Sequence, residues 1–241
     1  MPSIETPRKL EVIFTPALLP FYDLAGKRVV VIDIFRASTA ICAALDYGVE
    51  AIIPVKTVQQ ALAYKAQGYL AAAERGGEIV KGFDLGNSPL MFRQAHLRNQ
   101  TIVLTTSNCT RALLKATQAK ERIMGSFINQ EALIRHLEKG HQDTILLCAG
   151  WKNKFNLEDT LFAGSLVHRL KDEFYMEHCD SAIAAEQLYL HSKADLYGAL
   201  LKSSHAYRLR HLDLEKDIRY CLTPDQTEVV PVFLDGKIVV A

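Results

Sequence analysis

Short apolar runs alternate along this chain with stretches of helical periodicity. Arg28–Ile34 is apolar almost throughout and rich in β-branched residues, the pattern of a strand covered on both faces. Glu11–Phe14, Ala51–Val55, Tyr69–Glu74, Thr101–Thr105, Arg122–Gly125 and Thr144–Cys148 read as further strands. Between them Ser38–Tyr47, Val58–Gln67, Asn108–Gln118, Asn129–Lys139 and Leu157–Leu170 read as helices, the first two stopped by Gly48 and Gly68. Residues 181–219 are mainly helical in pattern. Glu228–Leu234 and Lys237–Val240 then flank Asp235-Gly236, a pair that favours the tight turn of a β-hairpin. Gly76 to Pro89, with Gly77, Gly82 and Gly86 between them, reads as a long loop. This alternation predicts an α/β fold, three-layer α/β/α, around a largely parallel or mixed sheet. Residues 10–241 are expected to form one unit, or two α/β lobes dividing near 125–130, although composition marks no linker there.

Charge narrows the partners. The chain has 241 residues, 49% hydrophobic and 23% charged, with 28 basic and 27 acidic residues and a formal net charge of +1. Such a balance offers no general field for nucleic acid or an anionic membrane, so the expected partner is a small ligand held by local charges. No run approaches the roughly 18 apolar residues of a membrane helix. The start lacks the apolar core of a secretory signal. Cys42, Cys109, Cys148, Cys179 and Cys221 are odd in number, widely spaced and without a CxxC. Free thiols in the cytoplasm are the expectation.

Candidate chemistry follows the strand ends, which share one edge in a parallel sheet. After the first strong strand come Asp33, Arg36, Ser38 and Thr39. Helix-opening hydroxyls and free backbone N–H groups suit an anion, and Arg36 could grip a phosphate or sulfonate. A plain helix cap with an Asp33–Arg36 ion pair is the competing account. Thr105, Thr106, Ser107, Asn108, Cys109, Thr110 and Arg111 form the second cluster. Arg111 stands in the first helical turn, where the dipole disfavours a cation unless an anion is bound. The third runs from Glu74, Arg75, Gly77 and Glu78 to Asn87 and Ser88, where carboxylates beside glycines suit Mg²⁺. The fourth, Asn156, Glu158 and Asp159, reads as a metal site or as an N-cap followed by acidic first-turn residues. His205 and Asp217 lie in the helical C-terminal third, within reach of such a site or as satisfied polar residues. His96, His136, His141, His168, His178, His191 and His211 show no zinc-binding spacing.

Taken in order, these segments resemble the magnesium-dependent 2-phosphosulfolactate phosphatases, the ComB-type family. The resemblance rests on Val31–Thr39, Glu74-Arg75, Gly77-Glu78, Gly86–Pro89, Thr105–Ala112, Cys148–Gly150, Leu157–Asp159, Ala163-Gly164, Ser204-His205, Asp217-Ile218, Cys221, Val230-Pro231 and Asp235-Gly236. It covers about residues 10–240. Two positions depart from the family pattern: Cys109 stands where a glycine is usual, and Met91 where an acidic residue often follows Asn-Ser-Pro.

The resemblance implies hydrolysis of a phosphate monoester on a three-carbon sulfonated acid, in the coenzyme M pathway, with Mg²⁺ as cofactor. Asp33, Arg36, Glu158 and Asp159 become the catalytic candidates. Arg36, Ser38, Thr39, Asn87, Thr105, Thr106, Asn108, Thr110, Arg111 and His205 become the substrate-binding ones, and Asp33, Glu74, Glu78 and Glu158 the metal ligands. Ile34 and Phe35 follow Asp33, so the Asp-x-Asp of haloacid-dehalogenase phosphatases is missing. Asp33 is therefore expected first as a metal ligand and second as a nucleophile. Two other readings stay open: a phosphatase for another small phosphorylated acid, and a non-catalytic binder of phosphorylated metabolites. A dinucleotide-binding dehydrogenase ranks below them, because no Gly-x-Gly-x-x-Gly follows the first strong strand. A homo-oligomer is left open.

Overall fold

The computed structural model describes residues 8–174 and 179–241. Ten strands form one mixed sheet: β1 (Leu10–Ile13), β2 (Arg28–Ile32), β3 (Ala51–Pro54), β4 (Leu70–Arg75), β5 (Glu78–Ile79), β6 (Thr101–Thr105), β7 (Glu121–Gly125), β8 (Thr144–Cys148), β9 (Pro231–Leu234) and β10 (Lys237–Val240). Their spatial order is β1-β8-β2-β7-β9-β10-β3-β6-β4-β5. The helices are α1 (Ala37–Asp46), α2 (Val58–Lys65), α3 (Cys109–Lys115), α4 (Gln130–Glu138), α5 (Leu157–Leu170), α6 (Asp180–Ser192), α7 (Leu196–Leu200), α8 (Ser204–Leu209) and α9 (Glu215–Cys221). They cover both sheet faces, giving the expected three-layer α/β/α arrangement. No helix among the described residues is long and apolar enough to cross a membrane.

Topology adds what the pattern did not show. β1, β8, β2 and β7 are parallel to one another, and so are β3, β6 and β4. The C-terminal hairpin sits between these blocks and pairs antiparallel with both, through Ile123↔Val232 and Ile238↔Ile52. Three successive reversals make the two blocks run in opposite senses, so their strand ends do not share one flat edge. Instead the sheet twists around α1 and α3. Val29 and Val31 of β2, Ile52 of β3, Ile102 and Leu104 of β6, and Ile145 and Leu147 of β8 all join the core that these two helices fill. Alternate residues, such as Val30, Ile32, Leu146 and Cys148, face the opposite layer with Leu133, Leu137, Phe162 and Leu166 of α4 and α5. Burial on both faces is why the middle positions of these strands are apolar without alternation. Helix α1 is buried from Ala37 to Leu45, which its small and apolar residues permit.

Other boundaries moved for local reasons. The β2 run stops at Ile32, because Asp33 opens the turn into α1. The loop predicted from Gly76 to Pro89 contains β5, which pairs with the end of β4 as Arg75↔Glu78. α3 ends at Lys115, short of the expected Gln118, and Ala119 then bridges to Ala25.

α5 and α6 pack closely enough that a side chain on Gly164 would stand 2.0 Å from the Ala185 carbonyl oxygen. Gly164→Ala is therefore expected to destabilise the fold by about 1–3 kcal/mol, by overpacking. A thermal melt checks this: the variant should melt several degrees lower, and an unchanged Tm would contradict the packing.

Candidate active site

The turn after β2 places Asp33 at its centre. Asp33 is 7% exposed, and its N–H donates to Ser38 Oγ at 3.1 Å. The backbone N–H groups of Ala37 and Cys109, the first residues of α1 and α3, face its carboxylate and favour its charged form. Two helix N-termini thus face one carboxylate. Burial nonetheless dominates, followed by the negative charges of Glu74 and Glu158, and the Asp33 carboxyl is pushed up to about 7.

Three further carboxylates are buried around it. Glu74, at the end of β4, accepts from Gly77 N–H at 2.7 Å and from Ser107 N–H and Oγ at 3.1 and 3.3 Å. Asp159, in the first turn of α5, accepts from Ile34 N–H at 2.9 Å and Gly150 N–H at 3.1 Å, so both its oxygens hold backbone. Burial, then Asp33 and Glu158, push its carboxyl well above the usual range. Glu158 Oε1 lies 3.0 Å from His205 Nδ1 and accepts from Asn156 Nδ2 at 3.1 Å. Glu158 Oε2 and His205 Nε2 are buried without a hydrogen-bond partner. Phe35 packs edge-on against the His205 ring, with centroids 5.1 Å apart.

Beside this cluster opens a cavity of about 580 Å³, lined by Lys56, Thr57, Arg75, Thr106, Ser107, Arg111, Lys115 and Lys152. No carboxylate lines it. None of its five cations forms a salt bridge among the described residues. Arg75 donates to Thr105 Oγ1 at 3.0 Å, and its guanidinium is pushed down by burial, while Glu74 opposes that shift and Arg111 adds to it. Ser107 lines the cavity and holds Glu74, so the cationic and anionic halves adjoin.

The other expected residues occupy definite places. Arg36 does not pair with Asp33. It forms a buried ion pair with Asp217 of α9 and donates to the Gly77 carbonyl at 2.7 Å. Asp217 also accepts from Ser88 Oγ at 2.8 Å. Thr39 Oγ1 donates to the Ile34 carbonyl and contacts Ser126 Oγ. Thr106 and Thr110 cap one another across the start of α3, each hydroxyl accepting the other's N–H at 3.2 Å. Asn108 Oδ1 accepts from Lys152 N–H at 3.1 Å. Asn87 is buried with Oδ1 unpartnered, beside a second cavity of about 680 Å³ that Arg36, Met91 and Asp217 also line. Glu78 stands outside the buried cluster: it is exposed on β5, with its carboxylate 3.5 Å from His211 Nε2. Cys109 is buried and its thiol is raised well above its ordinary range, by burial first and then by Asp33 and Asp159. His178 lies outside the described residues.

Among the described residues no three His, Cys, Asp or Glu side chains group closely enough to enclose a metal ion by themselves. Mg²⁺ does not require that, because it commonly keeps several waters and takes one or two carboxylates. Asp33 and the free Glu158 oxygen fit such a water-rich site, and mutual carboxylate repulsion favours a divalent cation there.

A family model described as 2-phosphosulpholactate phosphatase matches residues 13–236. The chain belongs to the 2-phosphosulpholactate phosphatase family. A relative from Thermotoga petrophila, named a probable 2-phosphosulfolactate phosphatase, is 41% identical over 220 residues, covering 91% of this chain and 94% of its own. Relatives with the same name from Caldanaerobacter subterraneus subsp. tengcongensis and Carboxydothermus hydrogenoformans are 38% and 36% identical. They cover 89% and 96% of this chain, and 90% and 97% of their own. Membership assigns the chain to a family of phosphoric monoester hydrolases. Within that family setting, Lys56, Thr57, Lys115 and Lys152 are cavity residues that strand-end clusters did not single out. Lys56-Thr57 does follow β3 and Lys152 follows β8, so extending the strand-end rule to every strand would have found these three, whereas Lys115 ends α3, one helical turn after Arg111.

The raised Asp33 carboxyl carries a sign. A folded-state value above the unfolded one means the folded state holds the extra proton, so stability is lost as pH rises from the ordinary carboxylate range through about 7. In EDTA, Asp33→Asn is expected to melt several degrees above wild type at pH 8, with the gap closing towards pH 4. A constant gap across that range, measured by calorimetry, would contradict the burial of a titrating Asp33.

Proposed function

We infer that this protein hydrolyses 2-phosphosulfolactate to sulfolactate and phosphate, a reaction of the coenzyme M biosynthetic type, with Mg²⁺ as cofactor. The observation that carries the reading is the five-cation cavity without a carboxylate, set directly against buried carboxylates. Converging cations repel one another, and a polyanion relieves that repulsion. The proposed substrate carries roughly four negative charges once its phosphate is fully ionised. A pure anion binder would gain nothing from Asp33, Glu74 and Glu158 beside that anion, so a metal-assisted reaction suits the pair of features better than binding alone.

In this mechanism Arg75, Arg111 and the three lysines bind and orient the anionic groups of the substrate. Asp33 and Glu158 are the residues that would hold Mg²⁺. Bound there, the ion would neutralise the transferring phosphoryl group and activate water. Asp33 serves as that ligand with water as the nucleophile, attack by Asp33 itself being the second reading. His205 fixes the Glu158 rotamer through Nδ1. Asp159 ties the turn after β2 to the turn after β8 and so positions Asp33 and Gly150. Arg36, locked to Asp217, fixes α9 and the Gly77 turn rather than gripping the phosphoryl group. The family setting and the absence of a membrane-crossing helix among the described residues agree with a cytoplasmic location, which we also propose.

Phosphate release from 2-phosphosulfolactate tests the reading. Turnover should require Mg²⁺ and stop in EDTA, and Asp33→Ala should lower kcat by about 10³ or more. Full Mg²⁺-dependent activity in Asp33→Ala would overturn its role. Arg111→Ala should raise KM more than it lowers kcat. Because most of the cavity's cations are exposed, KM for the wild type should also climb with ionic strength between roughly 0.01 and 0.15 M.

A further inference from the structure

We propose that the site selects its substrate by the number and closeness of negative charges and not by the sulfonate, so that it also hydrolyses a three-carbon acid bearing phosphates on both C2 and C3. This deepens the phosphatase reading above and rests on it. Lys56, Lys115 and Lys152 are compact point charges on flexible stems, which follow an anion's charge with little regard for its geometry. Arg75 and Arg111 offer planar forks that match phosphate as well as any other tetrahedral oxyanion. The remaining polar lining is the hydroxyls of Thr57, Thr106 and Ser107.

Nothing in that lining distinguishes sulfur from phosphorus. Thr106 already exchanges hydrogen bonds with Thr110. Ser107 Oγ already donates to Glu74, and the rotatable hydroxyls of Thr57 and Thr106 can donate to a sulfonate or a phosphate oxygen alike. No Leu, Ile, Val, Met or aromatic side chain lines the cavity, and its apolar surface comes from the stems and methyls of the same lysines, arginines and threonines. A volume of about 580 Å³ leaves room for a second phosphate in place of the smaller sulfonate. The five cations, unpaired among the described residues, favour the more highly charged ester if they discriminate at all. Loss of the second strong anion should cost affinity, because each charge-assisted contact it makes is lost with no replacement.

The chemistry is the same hydrolysis. Water adds to the phosphorus of the C2 phosphate, and the P–O bond to C2 breaks with its electron pair remaining on the alkoxide oxygen. The water's proton passes to that oxygen, so the products are inorganic phosphate and a 2-hydroxy acid that retains its C3 phosphate.

The test compares 2-phosphosulfolactate, 2,3-bisphosphoglycerate and 2-phosphoglycerate with the Mg²⁺-loaded wild-type enzyme, following products by ³¹P NMR. The expected result is release of the C2 phosphate from the bisphosphate with kcat/KM within about tenfold of the sulfonated ester, and about tenfold or more above 2-phosphoglycerate. Lys115→Gln and Lys152→Gln should each lower the ratio of bisphosphate to monophosphate turnover. Hydrolysis of the sulfonated ester without the bisphosphate would overturn the inference and leave the phosphatase reading intact. Hydrolysis of the bisphosphate without the sulfonated ester would support charge selection and overturn the substrate named above. Equal turnover of all three would overturn charge selection alone, and turnover of none would overturn both readings.

Discussion

Four carboxylates, Asp33, Glu74, Glu158 and Asp159, are buried close enough for their charges to act on one another, and the rest of the structure answers to that constraint. Removing like charges from water together is costly unless hydrogen bonds, protons or cations compensate. The fold supplies backbone donors to three of the four: Ala37 and Cys109 to Asp33, Gly77 and Ser107 to Glu74, Ile34 and Gly150 to Asp159. Glu158 instead has the side chains of His205 and Asn156, and one of its oxygens stays bare. Burial first, and then repulsion among the carboxylates, is left uncompensated, and it appears as the raised carboxyls of Asp33 and Asp159. That remainder is the electrostatic basis on which we propose a divalent cation.

Architecture explains how these groups meet. The two parallel blocks run in opposite senses, so a shared sheet edge is not the cause. The sheet twists about α1 and α3 instead, whose N-termini both face Asp33. α1 can lie inside because its residues are small or apolar up to Leu45, and β2 can lie between two helical layers because Val29 to Ile32 are all apolar. The buried Arg36–Asp217 pair and the His205–Glu158 contact then tie the C-terminal helices to the same place. Removing one partner of such a buried pair would leave the other charge uncompensated, which is more costly than losing the pair whole.

Much of this was legible before the structure. Every strand of the two parallel blocks was marked by an apolar run, and Asp235-Gly236 marked the hairpin. The clusters at Asp33, Glu74, Ser107 and Glu158 were marked by their position after strands or at helix starts. What could not be read was long-range. The placement of the hairpin between two opposed blocks depends on pairing across more than a hundred residues, which local periodicity does not encode. Arg36 looked like an anion grip because its partner, Asp217, is 181 residues away. Glu78 looked equivalent to Glu74, but it lies on the edge strand β5, both of whose residues are exposed. Lys115 shares α3 with Arg111, four residues apart, while Arg75 and Lys152 reach the same cavity from the ends of β4 and β8, a meeting that only the fold brings about.

The central claim is that the unrelieved charge on the carboxylate cluster is resolved by a divalent cation at Asp33. Calorimetric titration of Mg²⁺ into the protein near pH 7, repeated in buffers of different ionisation enthalpy, measures this directly. With its carboxyl near 7, Asp33 must give up a fraction of a proton as the metal binds. The account predicts proton release that is largest around pH 6, fades by pH 9, and disappears in Asp33→Asn together with a loss of affinity. Mg²⁺ binding without proton release, and with unchanged affinity in Asp33→Asn, would contradict it.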